Sequence, residues 1–184
     1  RFVKFTDTEC AAAATATLTV KKDVVSDNGG NKTASDFTLH VKSGGTDVTD
    51  SPALGSETGT VYTLSPGTYV VSEDTPPTGY SQTGFSDDCD SSGSVTLNAG
   101  DSKTCTITND DQPGVLKVVK VLTNDNGGGK GLGDFTIHVW GVNANNTSPP
   151  ASESGVFVSL DHGDYSVTEA AVAGYETTLS ADCS

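Results

Sequence analysis

The sequence predicts an all-β chain of two tandem β-sandwich repeats, the second incomplete. Three observations predict it. The 184 residues include 21 Gly, one Trp and no Met, and Thr, Ser, Val and Asp are frequent, which is the composition of short strands and turns. No window carries a sustained apolar stripe at helical spacing. The chain also repeats itself. "LTVKKDVVSDNGG" (Leu18 to Gly30) answers to "LKVVKVLTNDNGG" (Leu116 to Gly128), and "DFTLHV" (Asp36 to Val41) to "DFTIHV" (Asp134 to Val139). "GSETGTVYTLSPGTYVVSE" answers to "ASESGVFVSLDHGDYSVTE".

The elements follow in order. Residues 1–15 form an N-terminal strand and link. In "RFVKFTDTEC", Phe2, Lys4 and Thr6 alternate with Val3, Phe5 and Asp7, a strand-like pattern with no assigned place in the first repeat, and Ala11–Ala14 make a small-residue link. Residues 16–111 are the first repeat. "NDDQPG", stiffened by Pro113, joins it to the second repeat, 112–184. Strands of five to eight residues are split by DNGG, SPG, DHG and NAG turns. Seven such strands per unit fit an immunoglobulin-like or transthyretin-like sandwich. The second repeat stops one residue after Cys183, so its last strands are missing.

Side chains alternate strictly along a strand, so parity assigns faces. In "DFTLHV", Phe37, Leu39 and Val41 share the core face. Leu18 and Val20 bring Lys22 inward with them. Tyr69 and Val71 bring Glu73, and Cys105 and Ile107 bring Asn109. In the second repeat Lys120 and Glu169 take the same positions. Buried Lys and Glu are costly unless paired. One reading puts them at strand ends, with Lys reaching out to water and Glu capping a turn. The other is covalent. A desolvated Lys loses its proton more readily and a desolvated Glu keeps its own. The neutral amine attacks the Asn109 carboxamide while Glu73 polarises the carbonyl and shuttles protons, giving an intramolecular isopeptide bond with loss of ammonia.

"YVVSEDTPPTGY" has the pattern Tyr-x-x-x-Glu-x-x-x-Pro-x-Gly-Tyr, which resembles the E-box of prealbumin-like (Cna B-type and pilin-type) repeat domains of microbial surface proteins. The first-strand Lys and the "TITND" last strand resemble the same family. The similarity covers nearly all of 16–111 and, truncated, 114–184. It implies the prealbumin-like fold, a structural role, and Lys22, Glu73 and Asn109 as the bond triad. Lys21 is the alternative lysine, but it has the wrong parity and is Val119 in the second repeat. The second E-box, "YSVTEAAVAGY", departs from the pattern in lacking the Pro.

The four cysteines, Cys10, Cys89, Cys105 and Cys183, include no C-x-x-C pair and point to disulfides in an oxidising, extracellular setting rather than to zinc. Cys89 and Cys105 lie either side of a predicted hairpin-like return that brings them together. Cys183 sits where Cys89 sits, and its partner segment is absent from the second repeat. An unfinished sandwich exposes an edge. A strand donated by Arg1–Cys10 of a neighbouring subunit fills it and builds a head-to-tail filament, with Cys10 meeting Cys183 across the junction or, less easily, within one chain. Alternatively the chain continues past Ser184. "CAAAAT" does not match "CTITND", so no Asn accompanies Cys10 to meet Lys120 and Glu169.

The net charge of −14 argues against nucleic acid as a partner. No membrane span, metal set, cofactor motif or catalytic constellation for an external substrate is visible. His40 and His138 take outward positions, and the DNGG segments read as turns. "NKT" at Asn31, "NNT" at Asn145 and "NTS" at Asn146 are glycosylation sequons. The expectation is an extracellular, non-enzymatic structural subunit of a microbial surface filament or stalk, with copies of itself as partners. The alternative is an adhesin, with Trp140 and Tyr175 as candidate ligand-gripping aromatics, or a repeat fragment of a longer surface protein.

Overall fold

A computed structural model of the chain describes residues 14–141, 144 and 148–180. They divide into two compact units, one of residues 14–25 and 32–110, the other of 26–31 and 111–180.

The first unit is a two-sheet sandwich. One sheet holds β1 (Ala16–Val25), β5 (Thr60–Leu64), β7 (Tyr80–Asp87) and β9 (Ser102–Asp111), in the order β5-β1-β9-β7. The other holds β2 (Thr38–Ser43), β3 (Thr46–Asp47), β6 (Gly67–Glu73) and β8 (Ser94–Leu97), in the order β3-β2-β6-β8, with β4 (Ala53–Leu54) also paired to β2. A 3-10 turn, Ala34–Asp36, leads into β2. The expected alternation holds. Leu18, Val20, Leu39, Val41, Val71 and Ile107 are buried between the sheets, and Val20, Val71 and Ile107 are essentially inaccessible to water.

Two strands are longer than the expected five to eight residues. β1 and β9 each run ten, because they pair in parallel from Thr17 opposite Ser102 to Val25 opposite Asp110. The parallel register sets Lys22 opposite Ile107 and Val24 opposite Asn109. The hairpin-like return between Cys89 and Cys105 is not made. β8 crosses to the opposite sheet and pairs with β6 before β9 returns beside β1 and β7. Leu97 and Val95 on β8 are core residues, and an excursion to the facing sheet is what buries them. The two cysteines still meet in a disulfide with Cα atoms 5.1 Å apart, since Cys89 lies two residues past the end of β7 and Cys105 lies on its sheet neighbour.

The described part of the second unit has four strands. β10 (Gly114–Val118) pairs antiparallel with β12 (Val156–Leu160), and β11 (Ile137–Gly141) with β13 (Tyr165–Glu169). Val118, Ile137, Val139, Val158 and Leu160 form its core. Among the described residues no strand pairs with the second edge of β10.

Candidate functional site

Three polar side chains lie inside the first unit where its apolar parity carries them. Lys22 continues the inward row of Leu18 and Val20, Glu73 that of Tyr69 and Val71, and Asn109 that of Cys105 and Ile107. Lys22 is 1% exposed and Asn109 0%, and the Glu73 side chain is 3% exposed. The reading of Lys22 as a strand-end residue reaching out to water is therefore wrong. β9 covers it.

The three groups touch. Lys22 Nζ donates to Asn109 Oδ1 at 2.7 Å, to the Ile107 carbonyl at 3.1 Å and to the Asp23 carbonyl at 2.9 Å. Asn109 Nδ2 donates to Glu73 Oε1 at 2.8 Å. Glu73 Oε2 is buried with no hydrogen-bond partner and lies 3.9 Å from Nζ. Glu73 thus meets the amide nitrogen of Asn109, and the expected contact of Glu73 with the carbonyl oxygen is taken by Lys22 instead. The carboxyl faces the group that would leave.

Burial sets the electrostatics. Desolvation pulls the Lys22 amine down from 10.5 to about 8, against the opposing pull of Glu73 and Asp23. It raises the Glu73 carboxyl above its ordinary value, opposed by the Asn109 hydrogen bond and the Lys22 charge. A group titrating near 8 is roughly one-tenth neutral at pH 7, against about one in three thousand for an ordinary lysine.

Sequence reasoning missed two residues around the amine. Phe37 lies below it, with Nζ 4.5 Å from the ring centre. Parity made Phe37 a core residue but gave no reason to place its ring against a cation. The repeat carries the signal, because Phe135 holds the same place and Lys120 Nζ lies 4.4 Å from its ring centre. Gly55 lies against the aliphatic stem of the same side chain. A Cβ there would meet the Ala34 carbonyl oxygen and come within 2.8 Å of Lys22 Cβ.

Among the described residues the second unit rebuilds the pair without the third member. Lys120 Nζ is 2.9 Å from Glu169 Oε2 and donates to Oε1 at 3.2 Å. Its side chain is 14% exposed, where that of Lys22 is 0%. A cleft of about 1430 Å³ opens beside it, lined by Leu116 to Lys130, Ile137, Val167 to Glu169 and Ala173 to Ser180.

Other expected residues fall as follows. Lys21 faces away from Lys22 and is half-buried. His40 lies between two carboxylates, with Nδ1 3.0 Å from Asp47 and Nε2 3.0 Å from Asp74. Trp140 is 54% exposed and donates to Thr168 Oγ1. Tyr175 does not join it. It packs edge-on against Phe135 and donates to Asn124 Oδ1, as Tyr80 packs edge-on against Phe37 in the first unit. Asn31 is exposed. Cys10, Cys183, Asn145, Asn146 and the Arg1–Cys10 segment lie outside the described residues.

The prealbumin-like fold domain family matches residues 13–107 and 111–184, once for each repeat. The chain belongs to this family. Its two prealbumin-like repeats are the sandwich repeats expected from the sequence. Among solved structures the chain is similar to the Bacillus anthracis TIE protein, at 19% identity and a TM-score of 0.45 over 90% of this chain and 30% of that one. It is similar to GBS52, the minor pilin of Streptococcus agalactiae, at 20% identity and a TM-score of 0.36 over 60% of this chain and 48% of that one. It is also similar to a streptococcal ancillary pilin, at 20% identity and a TM-score of 0.34, covering 92% and 58%. The chain spans less than two thirds of the length of each. No curated protein matches it. Among the described residues no helix is long and apolar enough to cross a membrane.

Proposed function

We propose that this prealbumin-like chain is an extracellular structural subunit of a microbial surface filament or stalk, whose first unit locks itself with a Lys22–Asn109 isopeptide bond. The observation that carries the reading is the buried contact of Lys22, Asn109 and Glu73. The neutral Lys22 amine attacks Cγ of Asn109. The bond from Cγ to Nδ2 breaks, Glu73 relays the proton released by the amine to the departing nitrogen, and ammonia leaves. Atoms balance with no other reactant: amine and carboxamide become a secondary amide and ammonia. The chain acts once on itself and has no external substrate.

The bond joins β1 to β9, the first and last strands of the unit, so pulling on the unit's ends loads a covalent link rather than a ladder of hydrogen bonds. The Cys89–Cys105 disulfide supports an oxidising, extracellular setting. Among the described residues no strand pairs with the second edge of β10, which supports completion by a strand from a neighbouring copy that extends the assembly head to tail. Arg1–Cys10 is the proposed donor, with Cys10–Cys183 as a candidate link across that junction. Intact mass of the reduced protein tests the bond. A mass short of one ammonia, restored in Lys22→Arg, is expected; an unshifted mass overturns it.

A further inference from the structure

Asn109 reaches Lys22 in one register of β9. The strand pairs in parallel with β1, from Thr17 opposite Ser102 to Val25 opposite Asp110. The backbone ladder is the same in any register, so side chains must choose it. A slip of one residue would turn Cys105 and Ile107 outward and bury Thr104 and Thr106 in their place, at the cost of desolvated hydroxyls. A slip of two is cheaper. The outward threonines Thr104, Thr106 and Thr108 then trade places with one another. Asn109 moves by roughly 6–7 Å, out of reach of Lys22 Nζ, and Ile107 or Asp111 takes its place.

The other edge of β9 is marked. Asp87, Asp88 and Cys89, where β7 ends, meet Thr104, Cys105 and Thr106. Asp88 N donates to the Thr104 carbonyl and Thr104 N donates to Asp88 Oδ2, both at 2.8 Å. Thr106 Oγ1 donates to Asp87 Oδ2 at 2.6 Å. Between these contacts lies the Cys89–Cys105 disulfide. The carboxylate contacts are exposed, and water competes for them. After a two-residue slip another threonine could make them, but no other residue of β9 can replace Cys105. Cys105 and Asn109 lie on the same inward row, so fixing one fixes the other.

We propose that the Cys89–Cys105 disulfide is the register lock of the isopeptide site, so that Asn109 is presented to Lys22 in the oxidised chain and not in the reduced one. The inference rests on the Lys22–Asn109 bond proposed above and supplies its regulation. The order of closure follows from loop length. The disulfide spans 16 residues and the isopeptide 87, and the shorter loop costs less entropy to close. The oxidant is an external disulfide. Cys89, 8% exposed where Cys105 is 0%, attacks it as the thiolate and forms a mixed disulfide, releasing one external thiol. Cys105 then attacks Cys89 Sγ and displaces the second. Two protein thiols become one disulfide, and the external disulfide takes up their two protons and two electrons. The chain thus stays unlinked in a reducing compartment and locks once it meets an oxidising one.

The full chain is made by cell-free translation in dithiothreitol or in oxidised glutathione, and aliquots are denatured, reduced and followed by intact mass. Loss of one ammonia is expected in oxidised glutathione and should be slower by about a hundredfold or more in dithiothreitol, as for a misplaced reacting group. Oxidised glutathione added to the reduced chain should restore the fast rate. Cys89→Ala/Cys105→Val in oxidised glutathione should match the reduced wild type, which assigns the effect to this disulfide and not to Cys10 or Cys183. In that variant the rate should go on rising above a pH of about 8, because an unseated β9 leaves the Lys22 amine in water. Levelling off near 8 would show Lys22 already buried and overturns the lock. Equal rates in the two media overturn the lock and leave the isopeptide standing. No ammonia loss in either medium overturns the isopeptide and the lock with it. Amide exchange separates positioning from general stability. β2 and β6 should stay protected in the reduced chain; losing that protection would mean that the disulfide holds the whole unit, which overturns the assignment.

Discussion

The two units begin with nearly the same residues and finish differently. "LTVKK" becomes a ten-residue strand in the first, whereas "LKVVK" yields a five-residue strand ending at Val118 in the second. Propensity does not explain this, since the second stretch is the richer in Val. The difference is the partner. β1 has hydrogen-bonded neighbours on both edges, β5 and β9, and β10 has only β12 among the described residues. β6 and β13 repeat the lesson. β6 runs seven residues between β2 and β8, and β13 runs five, paired among the described residues with β11 alone. A closing strand thus extends its neighbours and buries the lysine. The same lysine is inaccessible under β9 and partly wet without it.

The comparison breaks most sharply at Asn109. Asn109→Ala removes the acceptor and leaves Lys22 buried beside Glu73. A link closing a loop of 87 residues contributes about 4–5 kcal/mol in the chain-entropy picture, so amide exchange of β1 and β9 should report a loss of at least that size. Exchange in β10 to β13 should not change. Equal losses in both units would mean that the bond is not what separates them.

Glu73→Gln keeps the shape and removes the proton relay. Bond formation in freshly refolded protein should slow by roughly a hundredfold or more, followed as ammonia loss over time. In the wild-type chain the rate should rise about tenfold per pH unit up to about 8 and level off above it, because only the neutral Lys22 amine attacks. A rate flat between pH 6 and 8 would contradict the burial-lowered amine.

Gly55 and Ala151 occupy matching positions. Gly55→Ala drives a methyl into the Ala34 carbonyl and the Lys22 stem, and should cost about 1–3 kcal/mol in thermal or denaturant unfolding. Ala151→Gly in the second unit should cost about 1 kcal/mol or less.

Most of the site was legible because strand parity is strict. Once Leu18 and Val20 are core, Lys22 has no other face to take, and the same holds for Glu73 after Val71 and Asn109 after Ile107. The internal repeat made the two sandwich units legible for a similar reason, since matching strands bury matching rows. What parity leaves open is which strands meet. The path of β8 depends on the facing sheet, where Val95 and Leu97 find their burial, so a hairpin was the natural but incorrect expectation for residues between two bonded cysteines. The Phe37 ring and the bare Gly55 backbone were invisible for a related reason. Both reach Lys22 from strands or turns far away in sequence. The orientation of the Asn109 amide, nitrogen toward Glu73, belongs to side-chain packing and has no sequence signal.

The central claim is that burial turns Lys22 and Asn109 from neighbours into a single covalent unit. Peptide mapping of the reduced, digested protein tests it most directly. The account predicts a branched peptide joining Lys22 to Asn109, short of one ammonia and absent from Glu73→Gln protein analysed soon after folding. Two linear peptides in full yield, with an unmodified Lys22 and an intact Asn109, would contradict it.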